Sequence, residues 1–152
     1  MALDDDIRIL SGVPLFDGFA PEQLRLLAFG AERVALEAGD TLFSQGERAA
    51  GAFILVSGAL ALSREEDGVE RPAGRVARPG ALLGELALIV ETARPTHARA
   101  EQTSVLLRLD RKAFRRILEE YPELAVRLHG RLSRQLVELA REVERLAPRF
   151  SE

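Results

Sequence analysis

The sequence predicts an α+β domain that is mainly β: a jelly roll, or double-stranded β-helix, with N-terminal helices before it and a long C-terminal helix after it. Three observations carry this. Between Glu32 and Asp110, short apolar runs are separated by Glu37-Ala38-Gly39-Asp40, Gln45-Gly46-Glu47, Ser57-Gly58, Asp67-Gly68 and Pro79-Gly80. Turns at that spacing imply many short strands, as in a sandwich or barrel. Inside the runs, Val34 and Leu36, Leu42 and Ser44, Phe53 and Leu55, and Leu60 and Leu62 alternate at the strand period. On both sides of this region the apolar spacing turns helical.

Taken in order, Asp4 to Leu10 reads as a short helix with acidic residues in its first turn, ended by Ser11-Gly12-Val13-Pro14. Pro21 opens a second helix, to Ala28, at the position where proline is best tolerated. Leu24, Leu27 and Ala28 share one of its faces, while Ala20 is a poor cap. Asp67-Gly68, between Ala59–Arg64 and Val69–Ala77, reads as a hairpin tip, and the polar second strand as an edge. A segment from Leu82 interrupts the strands, which resume over Thr96–Ala100 and Ser104–Asp110. In the latter, Val105, Leu107 and Leu109 face one way and Leu106 and Arg108 the other. Arg111 to Glu120 is a helix, broken at Tyr121-Pro122. A final helix runs from Pro122 to about Leu146. Along it Leu132, Leu136, Leu139, Val143 and Leu146 recur as a heptad seam, with His129 one seam position earlier and Arg127, Arg131, Arg134, Arg141 and Arg145 opposite. The organisation expected is one domain: helices over 1–30, a roll over 31–110 holding the interrupting segment 82–100, and lid or dimerisation helices over 111–148.

The interrupting segment carries the chemistry. Gly84-Glu85-Leu86-Ala87 makes a tight glycine turn into a short apolar helix, and Arg94 returns on a strand. The unpaired N–H groups at the start of such a helix favour an anion. A guanidinium suits a phosphate because it donates two parallel hydrogen bonds. Glu85 is out of place in a pure anion site, but a carboxylate accepts hydrogen bonds from hydroxyls. A ligand with one phosphate and one free sugar hydroxyl fits both side chains. Read without a ligand, Glu85 is good first-turn chemistry and Arg94 a solvated charge.

Gly84-Glu85-Leu86-Ala87 followed by Arg94 resembles the phosphate-binding cassette of cyclic-nucleotide-binding domains, which occur in catabolite activator protein, protein kinase A regulatory subunits and cyclic-nucleotide-gated channels. Gly39-Asp40, Phe43, Gly46-Glu47, Phe53-Ile54-Leu55 and Gly58 match the family's upstream pattern, so the resemblance spans most of the chain. It implies about eight strands and a set of ligand contacts. Leu86 and Ala87 N–H groups and the Arg94 side chain would hold the cyclic phosphate. Glu85 would hold the ribose 2′-hydroxyl, and Gly84 would permit close approach. Two departures bear on specificity. Pro95 stands where relatives place Ala, Ser or Thr, and Thr there goes with cyclic GMP; proline offers neither N–H nor hydroxyl, although Thr96 follows one position late. Leu139-Ala140 stand where catabolite activator protein has a Thr-Ser pair near adenine, which leaves His129, Gln135 and Leu139 as candidate base contacts.

Composition narrows the alternatives. The 152 residues are 47% apolar, with net charge −3 and no cysteine. That argues against nonspecific nucleic-acid binding and excludes thiolate chemistry. Met1-Ala2-Leu3-Asp4-Asp5-Asp6 is acidic where a signal peptide is basic, and no apolar run approaches membrane-spanning length, so a cytoplasmic protein is expected. No nucleophile motif or metal-ligand spacing stands out; His97 and His129 are far apart. The expectation is a non-enzymatic, stand-alone regulatory domain that senses cyclic AMP, with cyclic GMP second, and signals through its C-terminal helices to an effector protein. A homodimer through 132–146 is expected, with no DNA-binding domain and no membrane partner. Two other classes stay open: a roll that binds no nucleotide and serves protein interaction, and a transcription regulator without its DNA-binding part.

Overall fold

The computed structural model describes residues 2–131, 133, 134 and 141. One compact unit runs to Ile117 and a second begins at Leu118.

The first unit opens with helix α1 (Ala2–Ser11), a 3₁₀ turn (Pro14–Phe16) and helix α2 (Pro21–Gly30). Pro21 does occupy the first turn. The weak cap at Ala20 is relieved by Gln23, whose Oε1 accepts the Ala20 N–H at 2.7 Å. Asp6 is mostly buried and holds Arg33 of the first strand at 2.6 Å, which ties α1 to the roll.

Ten strands follow, all paired antiparallel. Strands β1 (Ala31–Leu36), β10 (Ser104–Asp110), β4 (Gly51–Ser57) and β7 (Leu82–Leu83) form one sheet in that order. Strands β2 (Thr41–Phe43), β9 (His97–Ala100), β5 (Leu60–Glu66) and β6 (Val69–Val76) form the other. A third, two-stranded ladder pairs β3 (Arg48–Ala49) with β8 (Thr92–Ala93). The two main sheets face each other across Phe43, Phe53, Leu55, Leu60, Ala98, Ala100 and Leu106. This is the jelly roll that the turn spacing predicts. Seven of the ten are three residues or longer, and β3, β7 and β8 are two-residue strands. Two residues are too few to show a period.

The hairpin tip is where the sequence puts it. Asp67 has φ 53° and Gly68 φ 78°, the pair of positive φ values a two-residue turn needs between right-twisted strands, and Glu66 faces Val69 across it. Strand β6 is the exposed edge, with Pro72 inside it. In β10 the register slips between Val105 and Leu106, and Leu106, Leu107 and Leu109 are all buried, so both faces of that strand are covered. On the outer side lies an aromatic cluster, with Phe16 5.2 Å from Phe19 and 6.2 Å from Phe114 of helix α3 (Arg111–Glu120).

In the second unit residues 122–131 are helical, and the Leu124 N–H donates to the Tyr121 carbonyl at 2.9 Å. The seam positions Leu132, Leu136, Leu139, Val143 and Leu146 lie outside the described residues. No described helix is long and apolar enough to cross a membrane.

Candidate ligand-binding site

The segment that interrupts the strands begins at β7 and turns at Gly84, which is left-handed at φ 81°. A residue with a Cβ strains there, and a Cβ would also overlap Arg94 Nη1. The helix expected after Gly84 is a 3₁₀ helix of four residues, Glu85–Leu88. It is too short to build a useful dipole. The Ala87 N–H donates to the Gly84 carbonyl at 3.0 Å, inside the turn. The Leu86 N–H precedes the internal hydrogen bonds of the helix. The chain returns through β8 to Arg94, exposed Pro95 and buried Thr96.

Arg94 is the centre of the site. Its backbone is clamped on both sides: its N–H donates to the Glu47 carbonyl at 2.8 Å, and its carbonyl accepts the Gly46 N–H at 2.8 Å. Its side chain is only 6% exposed. Nη2 donates to the Gly51 carbonyl at 2.8 Å, and the guanidinium carbon lies 4.6 Å from the Phe43 ring centre and 5.3 Å from that of Phe53. Nε and Nη1 are buried without a hydrogen-bond partner. Buried donors normally find acceptors, and two orphans on one cation are a clear exception. Burial pulls the Arg94 pKa below its ordinary value, and the charge of Glu47 opposes the shift. Beside it opens a cavity of about 350 Å³, lined by Leu42, Glu47, Arg48, Gly51, Phe53 and Arg94 among others. The side chain expected to be a solvated charge, if no ligand were involved, is therefore a desolvated cation with donors to spare.

The structure brings Gly84 and Arg94 into contact and sets Glu85, Leu86 and Ala87 in the adjoining turn. It holds His97 away from any free role, because His97 Nδ1 accepts the Gln45 N–H at 3.1 Å. Of the candidate base contacts, His129 is in the second unit with Nδ1 3.4 Å from Ser133 Oγ, while Gln135 and Leu139 lie outside the described residues. Sequence reasoning missed what surrounds Arg94. Phe43, Phe53 and the Gly51 carbonyl are 41 to 51 positions away in the chain, a separation at which no periodicity carries a signal. Arg111 was missed as well; its Nη1 reaches the carbonyls of Ala87 and Val90 in the same segment.

The family model described as Cyclic nucleotide-binding domain matches residues 33–121. The chain is 30% identical over 138 residues to the Cyclic AMP receptor protein of Thermus thermophilus, covering 91% of this chain and 64% of that one. It spans less than two thirds of the length of the curated relatives it matches. It superposes on a solved cyclic nucleotide-binding-like protein from Brucella abortus at 52% identity and TM-score 0.70, covering 76% of this chain and 99% of that chain. The regulatory domain of Toxoplasma gondii PKA, co-crystallised with cAMP, matches at 28% identity and TM-score 0.70, over 76% of this chain and 44% of that one.

Proposed function

The chain belongs to the cyclic nucleotide-binding domain family, and we propose that it is a regulatory sensor whose ligand is cyclic AMP. The observation that carries this is Arg94: a buried cation, packed against Gly84, with Nε and Nη1 unpartnered. A cyclic phosphate entering at the Gly84 turn supplies both the charge and the acceptors that this side chain lacks. The Leu86 N–H adds a backbone donor. The Ala87 N–H joins it if the turn opens its bond to the Gly84 carbonyl. Glu85 accepts the ribose 2′-hydroxyl.

Cyclic AMP is favoured over cyclic GMP by Pro95, which removes the side-chain hydroxyl that goes with the guanine nucleotide in relatives. The named ligands of the Thermus and Toxoplasma relatives point the same way. The signal leaves through α3 and the helical stretch after it, towards an effector protein, in a cytoplasmic setting. Ligand binding shifts the population only if the nucleotide binds one arrangement better than the other. The reading is one of binding and not of catalysis.

Calorimetric titration of the full chain with cyclic AMP and cyclic GMP tests this. Saturable binding of cyclic AMP, tighter than cyclic GMP, is expected. Binding of neither leaves an interaction module with a nucleotide-free roll, and preference for cyclic GMP overturns the weight placed on Pro95.

A further inference from the structure

The first residue of α3 reaches back over the cassette. Arg111 Nη1 lies 3.0 Å from the carbonyl oxygen of Ala49, 3.1 Å from that of Ala87 and 3.2 Å from that of Val90. The Arg111 backbone N–H donates to the Ala50 carbonyl at 2.8 Å, so the residue is anchored before its side chain extends. The three acceptors belong to two separate segments. Ala49 sits in β3, whose partner β8 leads directly into Arg94, and Glu47 two residues before it holds the Arg94 N–H. Ala87 lies in the 3₁₀ helix Glu85–Leu88, and Val90 follows it with its N–H bonded to the Leu86 carbonyl at 3.0 Å.

Each segment is weakly held by itself. β3 and β8 are two residues each, and the turn has four residues. Carbonyls at the end of a helix lack donors within it, and a cation there is favourable. One guanidinium –NH₂ carries two hydrogens, so three carbonyls converge on two donors.

We propose that Arg111 is a positioning residue for the phosphate site. It fixes the separation between the turn that presents the Leu86 N–H and the ladder that presents Arg94, and thereby sets affinity for the cyclic phosphate. The proposal rests on the cyclic-nucleotide reading of the site. It also makes the turn and the first residue of α3 move as one.

The test uses the full chain and three variants: Arg111→Gln, Arg111→Lys and, as a charge control, Lys112→Gln at the exposed neighbouring position. Cyclic AMP affinity is measured by calorimetry. Amide exchange is followed without nucleotide at Ala87, Ile89, Val90 and Arg94, whose N–H groups are bonded within this region. Arg111→Gln is expected to weaken cyclic AMP binding about ten-fold or more, the loss of a charge-assisted contact. Arg111→Lys is expected to stay within about three-fold, because a single ammonium with three hydrogens suits three carbonyls that converge on one nitrogen. Exchange at the four amides should rise about ten-fold in Arg111→Gln, with the β5–β9 ladder unchanged. Unaltered affinity in Arg111→Gln overturns the proposal, as does an equal loss in Lys112→Gln. A rise in exchange across β5–β9 as well makes Arg111 a general stability residue and also overturns it. If the unmodified chain binds neither nucleotide, the functional reading fails by itself, and the exchange measurement alone decides whether Arg111 positions the two segments.

Discussion

Arg94 combines two properties that are usually separate: it is buried, and it is incompletely bonded. A buried charge left without full compensation adds little to stability, and replacing it by an apolar group of similar volume is often neutral. Arg94→Met is therefore expected to change unfolding free energy by no more than about 1 kcal/mol, since lost solvation of the cation and the lost Gly51 contact offset each other. The same change should cost roughly 2–4 kcal/mol in cyclic AMP binding, about thirty- to a thousand-fold in affinity. Urea titration and calorimetry on one preparation separate the two quantities. A variant that unfolds much more easily while still binding would make Arg94 a structural residue. Glu85 has a different test at the same scale. Glu85→Ala should weaken cyclic AMP but scarcely alter binding of the 2′-deoxy analogue, which has no hydroxyl to donate in either protein. Equal losses for both ligands would assign Glu85 to the turn and not to the sugar.

At the scale of the element, the cassette is a turn whose shape is set by Gly84. Alanine there faces a left-handed backbone and overlap with Arg94 Nη1. Strain of this kind costs on the order of 1–3 kcal/mol, which lowers the melting temperature of a domain this size by several degrees, at about 2–4 °C per kcal/mol. Part of that cost depends on Arg94. The double variant Gly84→Ala with Arg94→Met should therefore be more stable than the sum of the single changes predicts. Strict additivity by thermal denaturation would mean that the two side-chain positions do not touch. The hairpin at Asp67-Gly68 is the contrasting case, since its tip is exposed and answers only to the φ values of its own two residues.

For the whole molecule, the proposed homodimer rests on Leu132, Leu139 and Leu146 at one heptad position and Leu136 and Val143 at the other. Leu139→Glu places a charge in that seam. Light scattering at micromolar concentration should find a dimer for the unmodified chain and a folded monomer for Leu139→Glu. A monomeric unmodified chain ends the dimer proposal.

The fold class, the hairpin tip, the edge strand and α3 were legible in the sequence because each depends on near neighbours. Turn residues set φ, strand period sorts side chains between two faces, and a proline marks a helix boundary. Gly84 and Arg94 were legible as a pair for a different reason, their place in a family motif. Tertiary structure alone decided what that pair amounts to. Burial of Arg94 between Phe43, Phe53 and Gly51, the short 3₁₀ turn in place of a helix, and the reach of Arg111 to Ala49, Ala87 and Val90 all join residues far apart in the chain. Whether a charge is solvated or stripped of water depends on the atoms packed around it. Those atoms are assembled only when the two sheets close, and for that reason the chemistry of Arg94 could not be read from its own neighbours in sequence.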